Sequence, residues 1–248
     1  MAQLLLLRPV GAAAGGDKSA GEASRVVCVV NTHLFGHPDA THVRLFQAAC
    51  VMRRVEALAG RFGTRADGAP AMAVILCGDL NSQPEEAVRD LLVTGTVSQD
   101  HSDWQRAAQF RLIASRAERE ANWFKSKDAL AQQTLKPSGS TVAPESGQQR
   151  GAGLDYVNMQ EGGTDLAIPL SQSMSLAQAC AELPFTFFTA HSKQVVDYIY
   201  YSPWNLSPDP QLSPFPAISE ESVAANTAIP SEVFPSDHIA LVQDLLWH

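Results

Sequence analysis

Four places in this sequence carry side chains that can handle a phosphate, a water molecule or a metal ion: His33, Asp79 with Asn81, Asp197, and Asp237 with His238. A carboxylate orients or deprotonates water, and an imidazole near neutral pH holds an oxyanion as a cation or passes a proton. The densest of the four is Ala71-Met72-Ala73-Val74-Ile75-Leu76-Cys77-Gly78-Asp79-Leu80-Asn81-Ser82-Gln83-Pro84. Its apolar run enters Gly78 and then a carboxylate and an amide, the pattern of a buried strand delivering polar groups at its carboxyl end. Residues i and i+2 of an extended chain point the same way, so Asp79 and Asn81 are expected to share a face and reach one ligand together. Taken singly, each place has a plain structural reading, as a turn-forming Asp or a satisfied His. All four beside strands in one chain point to a site.

The elements that must position them follow from periodicity. Leu4 to Leu7 begins a strand, residues 11–24 form an Ala/Gly/Ser connection, and Arg25 to His33 is a second β-rich run ending in polar residues. After Pro38 and Asp39, the residues Val43, Phe46, Ala49, Cys50, Val51, Val55 and Leu58 follow helical spacing, with Gly60 as the stop. Arg44, Arg53 and Arg54 then fall mainly on the solvated face. Ser82 or Gln83 is expected to cap a helix over about 85–94, with Pro84 in its first turn, Glu85 and Glu86 at its positive end and Gly95 ending it. Val195 to Tyr201 is a strand with Asp197 facing away from Tyr198 and Tyr200, residues 203–235 are a loop, and Ile239 to Leu246 is a final strand. Between about 106 and 175 lies a low-complexity insertion: a charged helical piece from Ala107 to Lys127, then a Gly/Ser/Gln/Pro-rich segment from Lys136 to Gly153 read as disordered. Residues 1–248 are read as one domain.

With 45% hydrophobic and 18% charged residues the chain is globular material, and no run approaches the roughly 20 apolar residues of a bilayer span. A net charge of -8 excludes a broad basic surface that coats nucleic acid, while leaving room for a narrow site that grips a few phosphates beside a cation. Cys28, Cys50, Cys77 and Cys180 lack paired short spacings. They read as buried free thiols of an intracellular, reducing compartment, cytoplasm or mitochondrion alike.

The motifs Asn31-Thr32-His33-Leu34, Gly78-Asp79-Leu80-Asn81, Val196-Asp197-Tyr198-Ile199 and Ser236-Asp237-His238 together resemble those of the endonuclease/exonuclease/phosphatase superfamily. Asn31 to Pro38 with Arg44-Leu45, Gly95 to Trp104, and Asp197 to Ser202 resemble its 2′,5′-phosphodiesterase and deadenylase branch. The resemblance covers residues 1–105 and 176–247. It implies an α/β fold, the four-layer sandwich of that superfamily, of which this chain matches the second half. It also implies a magnesium-dependent hydrolase, manganese being the substitute, that cleaves phosphodiesters of oligo- or poly(A) as a 3′ exoribonuclease. An oxygen-rich donor set without a Cys/His cluster agrees with magnesium rather than zinc.

Carried onto this sequence, the resemblance makes Asp79 the group that orients or deprotonates the attacking water. Asn81 and His33 become donors to phosphoryl oxygens, and His238 a phosphate-binding cation oriented by Asp197. Asp237 becomes a metal-side carboxylate. Asn31 is assigned to substrate binding, Pro38 packs against a base, and His191 or Phe188 stacks where poly(A)-directed relatives have an aromatic residue and this chain has Ser192. Complete domains of the family begin with another half that supplies an Asn and a metal-binding Glu, so the chain is expected to be an amino-terminally incomplete domain. Two further readings stand beside the nuclease: an inactive fragment or pseudoenzyme acting as a binding module, and a nucleotide or inositol phosphatase of the same fold. RNA or oligoadenylate is the expected partner, with no membrane.

Overall fold

An apolar run such as 71–77 needs neighbours on both sides in a sheet, and the chain supplies them from distant sequence. The computed structural model describes residues 1–8, 25–108, 110, 167–180, 183–210, 221, 223, 228–232 and 234–248. The expected connection over 11–24, the disordered segment at 136–153 and the helical piece beyond 110 lie outside the described residues.

The central sheet has five strands in the order β1 (Ala2–Leu7), β2 (Val26–Thr32), β3 (Met72–Asp79), β9 (Asp197–Tyr201) and β6 (Ala177–Gln178). Strands β2 and β3 pair in parallel, and the crossover between them is α1 (Thr41–Ala59). The other pairs are antiparallel, which makes the sheet mixed. Next come α2 (Ala87–Thr94), β4 (Thr96–Val97), α3 (Ser102–Ala107) and β5 (Leu170–Ser171), the last paired with β4. A ribbon of β7 (Phe187–Phe188) and β8 (Lys193–Gln194) precedes β9, and β10 (Leu206–Pro208) pairs with β11 (Leu245–Trp247).

Period-two alternation decides which side of the sheet is core. Cys28, Val30, Met72, Val74, Leu76, Tyr198 and Tyr200 are buried in one cluster with Leu45, Met52 and Val55 of α1 and Leu91 and Leu92 of α2. On the opposite face Val27, Val29, Ile75, Cys77 and Ile199 are half-buried, and Leu5 and Leu7 at the β1 edge are exposed. That face opens into a cleft of about 580 Å³ walled by residues 234–236 and 238–241. A second apolar cluster of Phe185, Val223, Ile229 and Ile239 sits under that wall.

Several sequence expectations are corrected. The buried stripe of α1 is Thr41, Arg44, Leu45, Ala48, Met52, Val55 and Leu58, while Cys50 is exposed. The helix carries apolar residues nearly all round, so spacing alone did not fix the inward face, and Arg44 lies within it. Helix α2 starts at Ala87, with Pro84 and Glu85 in a turn, and no side chain of 82–86 caps it. Its first amide, Ala87 N, instead donates to Asp103 Oδ2 at 2.8 Å. The last strand is confined to Leu245–Trp247, because Ile239 N donates to Thr186 O and the chain before it lines the cleft. Within 203–235, Leu206–Pro208 is a strand rather than loop.

Gly78 is required by the backbone. Its φ is +132°, and an added Cβ would strike the Thr32 carbonyl oxygen of β2. Gly78→Ala should therefore lower unfolding stability by about 3 kcal/mol or more. Chemical denaturation checks this, and an unchanged midpoint would show that β2 can move aside.

Candidate active site

The register of β3 against β9 sets Asp79 directly opposite Asp197 at the ends of their strands. Both side chains leave the sheet on its open face, where the loop before β11 brings in His238. His238 Nδ1 lies 2.8 Å from Asp197 Oδ2, and its Nε2 lies 4.0 Å from Asp79 Oδ2. The same Asp79 oxygen is 3.3 Å from Nε2 of His33, whose side chain is 72% exposed. Two carboxylates and two imidazoles thus converge from four separate stretches of chain.

Each member is held from behind. Thr186 Oγ1 accepts from Val196 N and Asp197 N, which fixes the start of β9. Phe188 N donates to Asp237 O, Ile239 N donates to Thr186 O, and the Phe187 ring lies 4.9 Å from that of His238. Leu34 N donates to Asp79 O, which ties the His33 loop to the end of β3. Tyr198 Oη donates to Ser82 O at 2.7 Å and anchors the chain just past Asn81.

Asn81 departs from the expected geometry. The strand ends at Asp79 and Asn81 takes a left-handed conformation, φ +48°, which Asn tolerates better than most residues. Its amide N donates to Asp79 Oδ1 at 2.8 Å, and its Nδ2 donates to Leu34 O at 3.0 Å. Asn81 therefore fixes the Asp79 carboxylate and the His33 loop, and the i, i+2 argument fails because the segment is a turn. One N–H of its side chain remains beyond the bond to Leu34.

The other sequence candidates divide. Asn31 is exposed and lines the cleft with Asp197 and His238. Pro38 is exposed on the His33 loop, its carbonyl held by Arg44 and Arg106. His191 is exposed in the turn joining β7 to β8 and is not among the cleft-lining residues. Asp237 adjoins His238, yet it is outside the group that converges. Missed altogether were Thr186, Glu86, Arg106 and the buried role of Arg44. The one available signal was Arg44-Leu45 among the family-like stretches, and its partner Glu86 lies 42 residues away.

Electrostatics separate Asp79 and His238 from ordinary surface groups. Burial pushes the Asp79 carboxyl above the usual carboxylate range, the Asn81 amide opposes this, and the Asp197 charge adds to it; His33 and His238 pull the other way. For His238, burial favours the neutral ring, and the hydrogen bond and charge of Asp197, with Asp79 and Asp237, outweigh it. The net result is a raised histidine, more readily cationic. One ligand atom from each of Asp79, Asp197 and His238 lies within 4.8 Å of the others, so among the described residues this group can hold a cation. Two carboxylates with no thiolate in the group suit an oxygen-seeking divalent ion, although the Asp197 oxygen is shared with His238.

The chain is similar in sequence and in fold to known proteins. The chain is 29% identical over 230 residues to mouse 2′,5′-phosphodiesterase 12, covering 93% of this chain and 28% of that protein. The human counterpart is 28% identical over 230 residues, with the same coverage. The 3′-5′-exoribonuclease subunit Ccr4 of the CCR4-Not complex from Mycosarcoma maydis is 26% identical over 239 residues, covering 89% of this chain and 27% of that protein. Among solved structures, ANGEL2, a 2′,3′-cyclic phosphatase in complex with adenosine-2′,3′-vanadate, superposes with a TM-score of 0.55 at 19% identity, covering 89% of this chain and 56% of that one. No family model matches. The chain spans about 28% of the length of the curated relatives it matches first. The expected mixed α/β fold with a central sheet holds.

The raised His238 can be measured directly. Its imidazole should titrate above the usual value of about 6.5, and Asp197→Asn should lower that midpoint, because the partner that favours the cation is lost while burial stays. Histidine proton resonances followed against pH give both values; an unmoved midpoint would contradict the pairing.

Proposed function

We propose that this chain, a relative of 2′,5′-phosphodiesterase 12 and the Ccr4 exoribonucleases within the endonuclease/exonuclease/phosphatase superfamily, carries the catalytic residues of a divalent-metal-dependent phosphodiesterase. Its substrate class is oligo- or poly(A), attacked from the 3′ end. The single observation that carries the reading is the convergence of Asp79, Asp197, His238 and His33 at adjacent strand ends.

The roles follow from the geometry. Asp79 holds the attacking water and takes its proton; its raised proton affinity makes it a better base than a surface carboxylate. The Asn81 amide keeps one Asp79 oxygen engaged, so the other, Oδ2, faces the two imidazoles and the reacting atoms. His238 as a cation donates to a phosphoryl oxygen and stabilises the charge that develops there, with Asp197 fixing its ring. His33, exposed at the mouth, donates to a second phosphoryl oxygen. A bound magnesium or manganese ion would supply Lewis-acid neutralisation at the phosphate, held by the group of Asp79, Asp197 and His238, with Asp237 beside His238 as the further carboxylate assigned to the metal side. Asn31 in the cleft lining and Pro38 on the His33 loop are assigned to substrate, and His191, outside that lining, is assigned to base stacking. All four cysteines are free thiols, which supports a reducing intracellular compartment. Among the described residues no helix is long and apolar enough to cross a membrane.

The longest natural polypeptide containing these residues, given 2′,5′- and 3′,5′-linked triadenylate with magnesium, manganese or a chelator, should release mononucleotide only when a divalent ion is present. His238→Ala and Asp79→Asn should each lower kcat by roughly 10²- to 10⁴-fold. Binding of the oligonucleotide without turnover under any metal would replace the nuclease reading with that of a binding module.

A further inference from the structure

The loop from His33 to Asp39 carries two of the groups placed at substrate, His33 and Pro38, and it lacks regular structure of its own. An irregular loop keeps a site in register only if its backbone carbonyls are satisfied from a rigid element. One side chain supplies most of this. Arg44, on the first turn of α1 and 1% exposed, donates from Nη1 to Phe35 O at 3.4 Å and to His37 O at 2.5 Å, and from Nη2 to Pro38 O at 3.2 Å.

The same guanidinium is clamped from the Asp79 side. Glu86 Oε2, at the end of the turn that follows Asn81, accepts from Arg44 Nη2 at 3.1 Å, and also accepts from Gln83 N. Glu86 Oε1 accepts from Arg106 Nη1 at 2.7 Å, and Arg106 Nη2 returns to Pro38 O at 3.3 Å. Pro38 is thereby held by two guanidiniums joined through one carboxylate. A buried pair of this kind adds little net stability over apolar side chains of similar volume, so its distinctive contribution is the directed set of bonds.

We infer that Arg44, clamped by Glu86, is a positioning residue that fixes the substrate-facing loop 33–39 against the Asp79 turn, and so sets how substrate is held. A lysine cannot reproduce the fork: its single ammonium cannot reach three carbonyls and a carboxylate in one plane. Substrate affinity is where displacement should register first, because Pro38 and His33 meet the bound substrate while Asp79, Asp197 and His238 keep their own supports.

The inference rests on the phosphodiesterase reading for its kinetic arm only. In Arg44→Lys, the amides of Leu34, Phe35 and Ala40 should exchange with deuterium roughly tenfold faster, while those of Val74 and Leu76 in β3 stay within about twofold. Turnover of triadenylate by the same protein should lose roughly ten- to a hundredfold in kcat/KM, with most of it in KM. The apolar double variant Arg44→Met/Glu86→Leu should keep its melting temperature, and it should show the same loop exchange and KM change. Loop exchange unchanged in both variants, or a fall in kcat at constant KM, would overturn the inference. If the natural protein shows no turnover, the nuclease reading fails alone, and the exchange arm still decides whether Arg44 holds the loop.

Discussion

Two carboxylates face each other across adjacent strands in this sheet, and the rest of the site is arranged around that conflict. Asp79 and Asp197 occupy opposed positions of an antiparallel pair, where like charges are destabilising. The structure relieves the repulsion by inserting imidazoles: His238 binds Asp197 and approaches Asp79, and His33 covers the outer side of Asp79. Burial, with the facing Asp197 charge, still raises proton affinity on Asp79 against the pull of both imidazoles, and on His238 the bond and charge of Asp197 outweigh burial. A base and an acid of perturbed affinity, within hydrogen-bond reach of one reacting position, are what phosphodiester hydrolysis requires.

Strand ends were legible because their logic is local. A period-two apolar run that stops at a polar residue announces both the strand and the residue it delivers, so His33, Asp79 and Asp197 could be picked from the sequence, whereas Asp237-His238 was picked beside an expected strand of which only Leu245–Trp247 forms. The failures share a different cause. Asn81 was placed by extending the strand two residues too far, past the point where Leu80 N turns to Val196 O. Arg44 was set on the solvated face because charged residues usually lie there, and nothing near it in sequence announces the buried carboxylate it meets. Pro84, Glu85 and Glu86 form an amino-terminal pattern for a helix, yet Glu86 turns inward to Arg44 and Arg106 and leaves the cap to Asp103. Local rules thus identified the chemistry, while the long-range polar contacts that hold it were invisible to them.

The sheet has two unlike faces, and this division separates folding from function. Its helix side is packed with the large buried side chains Leu45, Met52, Leu76, Leu91 and Tyr200. Its other side keeps apolar residues half-buried around an open cleft whose lining includes Asp197 and His238. Tyr198 joins the faces: its ring belongs to the core, and its hydroxyl donates to Ser82 O and Val195 O, both next to site segments. Burial holds that phenol protonated well above its ordinary range, so it remains a donor at any working pH.

The two halves of the site are supported by different physics. His33 and Pro38 stand on a polar scaffold in which Arg44, Glu86, Arg106 and Asp103 tie α1, α2 and α3 to two loops. Asp197 and His238 stand instead on Phe185, Val223, Ile229 and Ile239, with the Thr186 hydroxyl as the main polar pin. Directed bonds between buried groups hold their geometry with little screening by salt, whereas apolar packing is non-directional and weakens with cooling and with denaturant. The β3 to β9 ladder, ending at Asp79 and Asp197, joins the halves directly. Alignment of the two carboxylates therefore depends on that ladder's register, and a one-residue slip of β9 against β3 would turn Asp197 from the open face toward the apolar core.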